Sequence, residues 1–404
     1  MKVKIEKSIA RGEIYAPPSK SYAHRTLICS SLANGQSTVS NIAKSEDISA
    51  TLDCIKELGA KCEINGTTAE ICGIYKNTVK DAAVKKFMCR ESGSTLRFFI
   101  PIALSLGGVS EFYGTEKLIS RGIEVYEDIC KKQGIFLEKS ANRIRLEGKL
   151  KPGVFDVRGD ISSQFISGLM FALPTLDGDS TINITTPLES KGYILITADV
   201  LSRFGIRIKF ESNKIYINGN QKYTAINSFV EGDMSNGAFL DAFNVLGGDV
   251  SLKGLNRDTY QPDKAYAEYF EKLKAGTPVL DVSGCPDLAP ILIALAAVCN
   301  GATLTGTRRL KIKESDRAQA MACELEKMGG RVDIFENSLT VYKRELHNPE
   351  EALCAHNDHR IVMALSVILT LFGGEIDGAE AVTKSYPNFF DDIKALGVEV
   401  SYEI

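Results

Sequence analysis

The densest group of charged residues is the segment Lys-Ile-Lys-Glu-Ser-Asp-Arg, from Lys311 to Arg317. If a helix begins near Ser315, Lys313 and Arg317 share one of its faces with Glu314 beside them, because residues four apart on a helix are neighbours. A carboxylate flanked by cations can act as an acid or a base, or can serve only as an ion-pair partner. The segment therefore predicts either a proton-transfer site or a structural ion pair.

Polar and cationic residues also stand where apolar helices are expected to begin. Lys20, Ser21 and Arg25 open the first such helix, and the arginines Arg25, Arg97 and Arg360 all lie within first turns. Unpaired amides and the helix dipole favour anions at these ends, so an arginine there opposes the dipole unless an anion is bound. We expect several anionic groups to bind at the helix starts, which also contain Gly93, Ser162, Ser163, Gln164, Asp287 and Asp358.

Each helix start also has a purely structural interpretation. Ser, Asp and Asn cap helices in most proteins, and Lys or Arg usually lies in solvent. His356 and His359 are spaced as metal ligands can be, but the sequence has only four His and no pattern of Cys or carboxylates that completes a site. We expect neither a metal nor another cofactor, since phosphate-loop and dinucleotide-binding motifs are also missing.

Composition restricts the class of protein. The 404 residues are 44% hydrophobic and 25% charged with a formal net charge of -3, which is ordinary for a globular protein and unlike one that coats nucleic acid or a membrane surface. The longest apolar runs are too short to cross a bilayer. The ten Cys form no Cys-x-x-Cys pair, which indicates reduced thiols and a cytoplasmic location.

An internal repeat organises the chain. An apolar helix-like stretch, one or two Gly and a short β-rich run recur six times, as at Leu106-Gly-Gly-Val-Ser and Leu246-Gly-Gly-Asp-Val. Charged helices closed by Gly fall between these copies, and the copy from Asp263 to Val282 is shortened. Two sets of three repeats predict two α/β halves, each with its own core, and a ligand cleft between them.

Five motifs along the chain resemble the 5-enolpyruvylshikimate-3-phosphate (EPSP) synthase family of enolpyruvyl transferases: Pro18-Ser-Lys-Ser, Ser162-Ser-Gln-Phe, Lys313-Glu-Ser-Asp-Arg, Asn357-Asp-His-Arg and Lys384-Ser-Tyr-Pro-Asn-Phe-Phe. The resemblance implies two similar globular domains, each of three βαβαββ repeats in an inside-out α/β barrel. The first strand of the family belongs to the second domain. The implied domains are therefore 14–226, and 1–13 with 227–404.

The resemblance also implies a reaction, in which enolpyruvyl passes from phosphoenolpyruvate to the 5-hydroxyl of shikimate 3-phosphate. Asp287 and Glu314 would transfer protons, with Lys20 and Lys384 assisting. The implied ligands of shikimate 3-phosphate are Lys20, Ser21, Arg25, Ser162, Ser163, Gln164, Ser190, Tyr193, Asp287 and Lys313. Those of phosphoenolpyruvate are Lys20, Gly93, Arg121, Gln164, Arg317, Arg360 and Lys384.

Two positions depart from the family pattern. Glu91 and Arg309 both stand where the family commonly has Asn, which leaves their roles open. One alternative is the related transferase that uses UDP-N-acetylglucosamine, but its reactive Cys has no counterpart between Gly114 and Gly122. A second is a non-catalytic module that binds phosphorylated ligands, which would not need Asp287 and Glu314. We expect small-molecule substrates, no nucleic-acid or membrane partner, and a monomer.

Overall fold

The computed structural model describes residues 1–74 and 84–403. The chain divides into two compact units, one formed by Pro18–Glu231 and the other by Met1–Pro17 together with Gly232–Ile404. The boundaries expected from the sequence lie a few residues away, at 13/14 and 226/227. The difference arises because the strand at Arg11–Tyr15 pairs along its whole length with Asp249–Lys253, and Ser228–Phe229 pairs with the strand at Gln36–Ser40.

The α-helices begin and end as follows: α1 Lys20–Leu32, α2 Glu46–Leu58, α3 Gly93–Leu106, α4 Glu116–Ser120, α5 Glu124–Gln133, α6 Ser163–Ala172, α7 Lys191–Arg203, α8 Met234–Val245, α9 Tyr266–Ala275, α10 Ala289–Val298, α11 Arg317–Glu326, α12 His359–Phe372 and α13 Phe389–Ala395. Short 3-10 helices cover Leu173–Thr175, Pro262–Ala265, Pro286–Leu288, Arg308–Ile312 and Ala379–Lys384.

The first strands in chain order are β1 Lys2–Ile5, β2 Arg11–Tyr15, β3 Ala33–Asn34, β4 Gln36–Ser40, β5 Lys61–Asn65, β6 Thr68–Cys72, β7 Lys85–Arg90, β8 Val109–Gly114, β9 Phe136–Lys139, β10 Arg143–Glu147, β11 Val154–Val157 and β12 Ser180–Ile184. The remaining strands are β13 Ile208–Glu211, β14 Lys214–Ile217, β15 Tyr223–Thr224, β16 Ser228–Phe229, β17 Asp249–Lys253, β18 Val279–Asp281, β19 Ala302–Thr305, β20 Arg331–Ile334, β21 Ser338–Tyr342, β22 Leu353–Cys354, β23 Gly374–Asp377 and β24 Val400–Glu403.

The sheets confirm the repeated architecture. In the Pro18–Glu231 unit, the orders β7-β8-β10-β9, β11-β12-β14-β13 and β16-β4-β6-β5 each contain one parallel pair followed by two antiparallel pairs. The second unit repeats the pattern in β18-β19-β21-β20 and β22-β23-β1-β24, while the shortened fourth repeat forms only the parallel pair β17-β2. The N-terminal strand β1 pairs antiparallel with both β23 and β24, and so completes the last sheet.

Each unit has its own hydrophobic core, built around the first helix of each repeat. Helix α10 is buried from Ala289 to Ala297, and α12 is buried from His359 to Thr370. A helix that is apolar on all sides must lie inside a domain, with the sheets outside it. Polar groups in such helices are therefore concentrated at their ends, where we find the candidate site residues.

The ten cysteines are all unpaired thiols in the structure. Burial raises the pKa of several of them, including that of Cys29, which lies fully inside α1. Such thiols are poor nucleophiles at neutral pH. None of the helices in the described part of the chain is both long and apolar enough to cross a membrane.

Candidate active site

The carboxylate of Asp287, in the second unit, contacts three cationic side chains. Asp287 lies in the 3-10 turn that precedes α10, and its Oδ1 is 2.6 Å from Nη1 of Arg317 and 3.3 Å from Nζ of Lys313. Its Oδ2 is 3.0 Å from Nη2 of Arg360. Asp287, the segment with Lys313 and Arg317, and Arg360 are far apart in sequence, so the fold brings together residues from three segments that were predicted separately.

Arg317 connects this carboxylate to two more. Its side chain is 1% exposed, and besides Asp287 it donates from Nη2 to Glu314 at 2.8 Å and from Nε to Asp358 at 2.9 Å. Asp358 also caps α12, since its Oδ1 accepts the backbone N–H of Arg360 at 2.9 Å. One buried carboxylate therefore fixes both the start of α12 and the orientation of Arg317.

The helix considered from about Ser315 begins two residues later, at Arg317. Ser315 and Lys313 precede α11, which begins at Arg317 with Asp316 as its N-cap, and Lys313 has an extended backbone. Asp316 takes the cap because its side chain accepts the N–H of Gln319 at 3.3 Å. Lys313 and Arg317 nevertheless both contact Asp287. The extended backbone at Lys313, and not the spacing of residues on a helix, brings the lysine to this carboxylate.

The charges in this cluster shift its acid–base equilibria. Burial alone would raise the pKa of Asp287, but Arg360, Lys313 and Arg317 together hold it well below its usual range. Burial lowers the pKa of Lys313 to about 8, although the attraction of Asp287 opposes that shift. Asp287 is thus ionised at neutral pH. The pKa of Lys313 lies close to neutral pH, so a modest rise in pH removes its proton.

Arg360 and Lys384 are the remaining cationic residues predicted for the site in this unit. Arg360 follows the N-cap of α12 and donates from Nη1 to the hydroxyl of Ser235 at 2.6 Å, at the start of α8. Lys384 ends a 3-10 helix, and its Nζ donates to the carbonyl of Asn357 at 2.8 Å. Arg309 is 7% exposed and donates to the carbonyl of Ser283 at 3.0 Å.

Arg25 is the clearest candidate anion site in the Pro18–Glu231 unit. It is 3% exposed, and its hydrogen bonds go to the Thr197 hydroxyl at 2.8 Å and to the carbonyls of Ser21 and Tyr193 at 2.8 and 3.2 Å. No carboxylate within residues 1–74 and 84–403 forms an ion pair with it. Burial lowers its pKa to about 10, so it remains a cation at neutral pH and can attract an anion.

Lys20 begins α1 directly after the cap residue Ser19, and its Nζ is 2.8 Å from Oδ2 of Asp47. Both side chains are mostly buried, with 17% and 16% exposed. Asp47 lies in the first turn of α2, where sequence alone suggests only a favourable charge for the helix dipole. The structure adds it to the site because it sets the position of the Lys20 ammonium.

Gln164, near the start of α6, and Arg97, near the start of α3, are joined by a hydrogen bond. Gln164 accepts from Nη1 of Arg97 at 2.8 Å and donates to the Ser94 hydroxyl at 2.9 Å. The guanidinium of Arg121 lies against Gly93, where an added Cβ would be 3.2 Å from Nη1 of Arg121. The fold therefore places two predicted phosphoenolpyruvate ligands, Gly93 and Arg121, side by side.

The predicted hydroxyl ligands lie at the starts of two further helices. Ser162 is the N-cap of α6 and Ser163 its first residue, while Ser190 precedes α7 with a left-handed φ of 53°. Tyr193 lies in the first turn of α7, one turn from Thr197, which donates to its carbonyl at 2.9 Å. Glu91 lies in the turn between β7 and α3.

The two histidines considered as metal ligands have different environments. Nε2 of His356 is 2.7 Å from Oε1 of the buried Glu324, whereas His359 is the first residue of α12 and 1% exposed. No group of three or more potential metal-ligating side chains is found among the described residues.

Some residues that position the site are hard to identify from the sequence. Asp358 has only the pattern of a helix cap, and Asp47, Thr197 and Ser235 belong to none of the predicted motifs. Asp47 and Ser235 lie in the first turns of helices, a position shared by many ordinary capping residues, and Thr197 lies one turn further along α7. Contacts between distant segments, rather than local pattern, identify them.

The chain matches known proteins over nearly its whole length. The family model described as EPSP synthase (3-phosphoshikimate 1-carboxyvinyltransferase) matches residues 5–393. A Clostridium kluyveri protein named 3-phosphoshikimate 1-carboxyvinyltransferase is 41% identical, with 98% of each chain covered. A protein of the same name from Clostridioides difficile is 40% identical, over 98% of this chain and 97% of the relative.

Solved structures agree on the fold. The EPSP synthase from Acinetobacter baumannii superposes with a TM-score of 0.81 at 21% identity, covering 100% of both chains. The enolpyruvyl transferase NikO from Streptomyces tendae gives a TM-score of 0.79 at 14% identity, covering 100% of this chain and 98% of NikO. The architecture is therefore that of the enolpyruvyl transferases. Within that class, the chain belongs to the EPSP synthase family.

Proposed function

We propose that this chain transfers the enolpyruvyl group of phosphoenolpyruvate to the 5-hydroxyl of shikimate 3-phosphate and releases phosphate. This is the reaction of 3-phosphoshikimate 1-carboxyvinyltransferase, the name of its curated relatives. The observation that carries the proposal is the convergence of Lys313, Arg317 and Arg360 on Asp287, in a chain that matches this family from residue 5 to residue 393.

The charge distribution fits two anionic substrates. Shikimate 3-phosphate and phosphoenolpyruvate each carry a phosphate and a carboxylate, so they repel each other unless fixed positive charges hold them. We assign the cations and hydroxyls at the helix starts to them. The proposed ligands of shikimate 3-phosphate are Lys20, Ser21, Arg25, Ser162, Ser163, Gln164, Ser190, Tyr193, Asp287 and Lys313, and those of phosphoenolpyruvate are Lys20, Gly93, Arg121, Gln164, Arg317, Arg360 and Lys384.

The proposed reaction has an addition and an elimination. The 5-hydroxyl oxygen bonds to C2 of phosphoenolpyruvate and loses its proton to a base, while an acid adds a proton to C3. The resulting tetrahedral intermediate then loses a proton from C3 and its C2–O bond to phosphate, which restores the double bond. Asp287 and Glu314 are the proposed proton carriers, because both carboxylates contact Arg317.

Substrate binding would make Asp287 a stronger base. Its low pKa depends on three cations, and two of these, Arg317 and Arg360, are also proposed to bind phosphoenolpyruvate. When substrate oxygens share these cations, the carboxylate loses part of its stabilisation, so its pKa rises. We assign proton removal from the 5-hydroxyl to Asp287 on this basis, and proton exchange at C3 to Glu314 with Lys20 and Lys384 assisting.

Release of phosphate tests the function. The protein is incubated with phosphoenolpyruvate and either shikimate 3-phosphate or UDP-N-acetylglucosamine. We expect phosphate only with shikimate 3-phosphate. Phosphate release only with the UDP-sugar would assign the chain to the related transferase. Binding of the substrates without phosphate release in either mixture would indicate a non-catalytic module.

The location and the oligomeric state are further proposals. We propose a monomer, because one chain supplies all the proposed ligands, and a cytoplasmic location, because the ten cysteines are unpaired thiols. Light scattering of the purified protein should give a mass near 44.1 kDa. A mass of twice that value at micromolar concentration would contradict the monomer.

A further inference from the structure

Two loops that carry proposed ligands leave the same edge of one sheet. Strands β11 and β12 are parallel neighbours, with Val157 opposite Ile184 at their ends. The loop after β11 leads to Ser162, the N-cap of α6, and to Ser163, its first residue, and the loop after β12 leads to Ser190 and α7. Parallel strands point their carboxyl ends the same way, so both loops lie at one edge.

The side chain of Thr186 joins these loops. Its Oγ1 accepts the backbone N–H groups of Gly159 at 2.9 Å and Asp160 at 3.2 Å, and it donates to Oδ1 of Asp160 at 2.9 Å. A hydroxyl has one donor and two acceptor positions, so these bonds use its full capacity. Arg158 holds the same Asp160 carboxylate with two bonds, of 3.0 and 2.8 Å.

The loop after β11 and the loop after β12 are also closely packed. The N–H of Glu189 donates to the carbonyl of Gly159 at 3.1 Å. A Cβ added to Gly159 would lie 2.9 Å from Cγ2 of Ile184 and 3.0 Å from the carbonyl oxygen of Pro187, so only glycine allows this approach. The connection ends at Ser190, whose left-handed φ is uncommon for a residue other than glycine and persists where surrounding structure enforces it.

We propose that Thr186 is a positioning residue for shikimate 3-phosphate: its hydroxyl fixes the loop that carries Ser162 and Ser163 against the loop that carries Ser190. This inference rests on the proposed function, since these serines are ligands only by that assignment. Thr186 does not contact the substrate in this account. It sets the spacing of two groups of ligands and thereby the affinity.

Thr186→Val keeps the shape of the side chain and removes all three hydrogen bonds, while Thr186→Ser keeps the hydroxyl. The neighbouring Thr185 gives a matched control, because it is exposed and its hydroxyl has no partner in the described part of the chain. Calorimetry should show the dissociation constant of shikimate 3-phosphate rising roughly three- to tenfold in Thr186→Val, as for the loss of a typical net hydrogen-bond contribution. Thr186→Ser and Thr185→Val should bind as the parent does.

Kinetics and hydrogen exchange separate positioning from general stability. In Thr186→Val, the KM for shikimate 3-phosphate should rise more than the KM for phosphoenolpyruvate, with kcat changed least. The amides of Gly159 and Asp160 should exchange faster, while those of β12 keep their protection. Three results would overturn the inference. Thr186→Val could bind shikimate 3-phosphate as tightly as the parent, Thr185→Val could lose as much affinity as Thr186→Val, or Thr186→Ser could bind as weakly as Thr186→Val.

The outcome for the parent protein distinguishes this inference from the proposed function. A parent that binds shikimate 3-phosphate without releasing phosphate contradicts the transfer reaction, and the dissociation constants of the variants still decide the role of Thr186. A parent that does not bind shikimate 3-phosphate overturns both.

Discussion

Nη1 of Arg317 lies 2.6 Å from Oδ1 of Asp287, and this ion pair is the centre of the cationic cluster. Because Arg317 is 1% exposed and also contacts Glu314 and Asp358, its position is fixed before any substrate binds. Such preorganised charge costs no rearrangement during the reaction.

Asp287→Asn should nearly abolish turnover. The substitution keeps the side-chain shape but removes the base and leaves Lys313, Arg317 and Arg360 without their shared carboxylate. We expect kcat to fall by roughly 10²- to 10⁴-fold, the usual contribution of a general base. Phosphate-release kinetics would measure it, with Asp249→Asn on the exposed end of β17 as control. An unchanged kcat would remove Asp287 from the chemistry.

Glu314→Gln should lower kcat more than it changes either KM. The amide can still accept from Nη2 of Arg317, which lies 2.8 Å from Oε2, but it cannot exchange protons with C3 of phosphoenolpyruvate. We expect a loss of about 10²-fold or more in kcat. Glu326→Gln, at the exposed end of the adjacent helix α11, is the matched control. If KM rises while kcat is kept, Glu314 only orients Arg317.

The affinity for shikimate 3-phosphate should fall as the pH rises through about 8, the lowered pKa of Lys313. Below that pH the side chain is an ammonium ion and attracts the anion, and above it the neutral amine does not. Lys313→Arg should flatten this part of the profile, because a guanidinium keeps its proton over the whole range. Calorimetric titrations between pH 6.5 and about 9.5 would measure it. A flat profile in the parent protein would contradict the assignment.

Arg25→Met should weaken binding of shikimate 3-phosphate by roughly tenfold or more, because it removes a buried cation whose observed partners are uncharged. Burial lowers the Arg25 pKa to about 10, so its charge is present throughout the neutral range. Arg207→Met removes an exposed arginine between α7 and β13 and serves as the control. Calorimetry would measure the affinity of both variants for shikimate 3-phosphate. Similar affinities in Arg25→Met and Arg207→Met would exclude Arg25 as a ligand.

Gly93→Ala should raise the KM for phosphoenolpyruvate. The new methyl group would lie 3.2 Å from the Arg121 guanidinium, which must move by a few tenths of an ångström. Gly276→Ala adds a methyl group where no atom lies within 4 Å and should change nothing. Steady-state kinetics with each substrate varied would show whether the effect is confined to phosphoenolpyruvate. An equal change in both KM values would indicate a general distortion of α3.

The repeated architecture is predictable from the sequence because an apolar stretch, one or two Gly and a short β-rich run recur six times. The positions of Lys20, Ser162 and Arg360 at helix starts are also predictable, because helix starts have a recognisable local pattern. The helix considered from about Ser315 begins at Arg317, because Asp316 is its N-cap. Asp47 and Thr186 were missed because their importance comes from contacts with distant segments.

³¹P NMR of a mixture in which both acceptors compete shows which of them receives the enolpyruvyl group. The protein is added to phosphoenolpyruvate with equimolar shikimate 3-phosphate and UDP-N-acetylglucosamine. We predict that inorganic phosphate appears in step with loss of phosphoenolpyruvate, that the shikimate 3-phosphate resonance is replaced by that of its enolpyruvyl ether, and that the UDP-sugar is unchanged. Consumption of the UDP-sugar, or no reaction at all, would contradict the account.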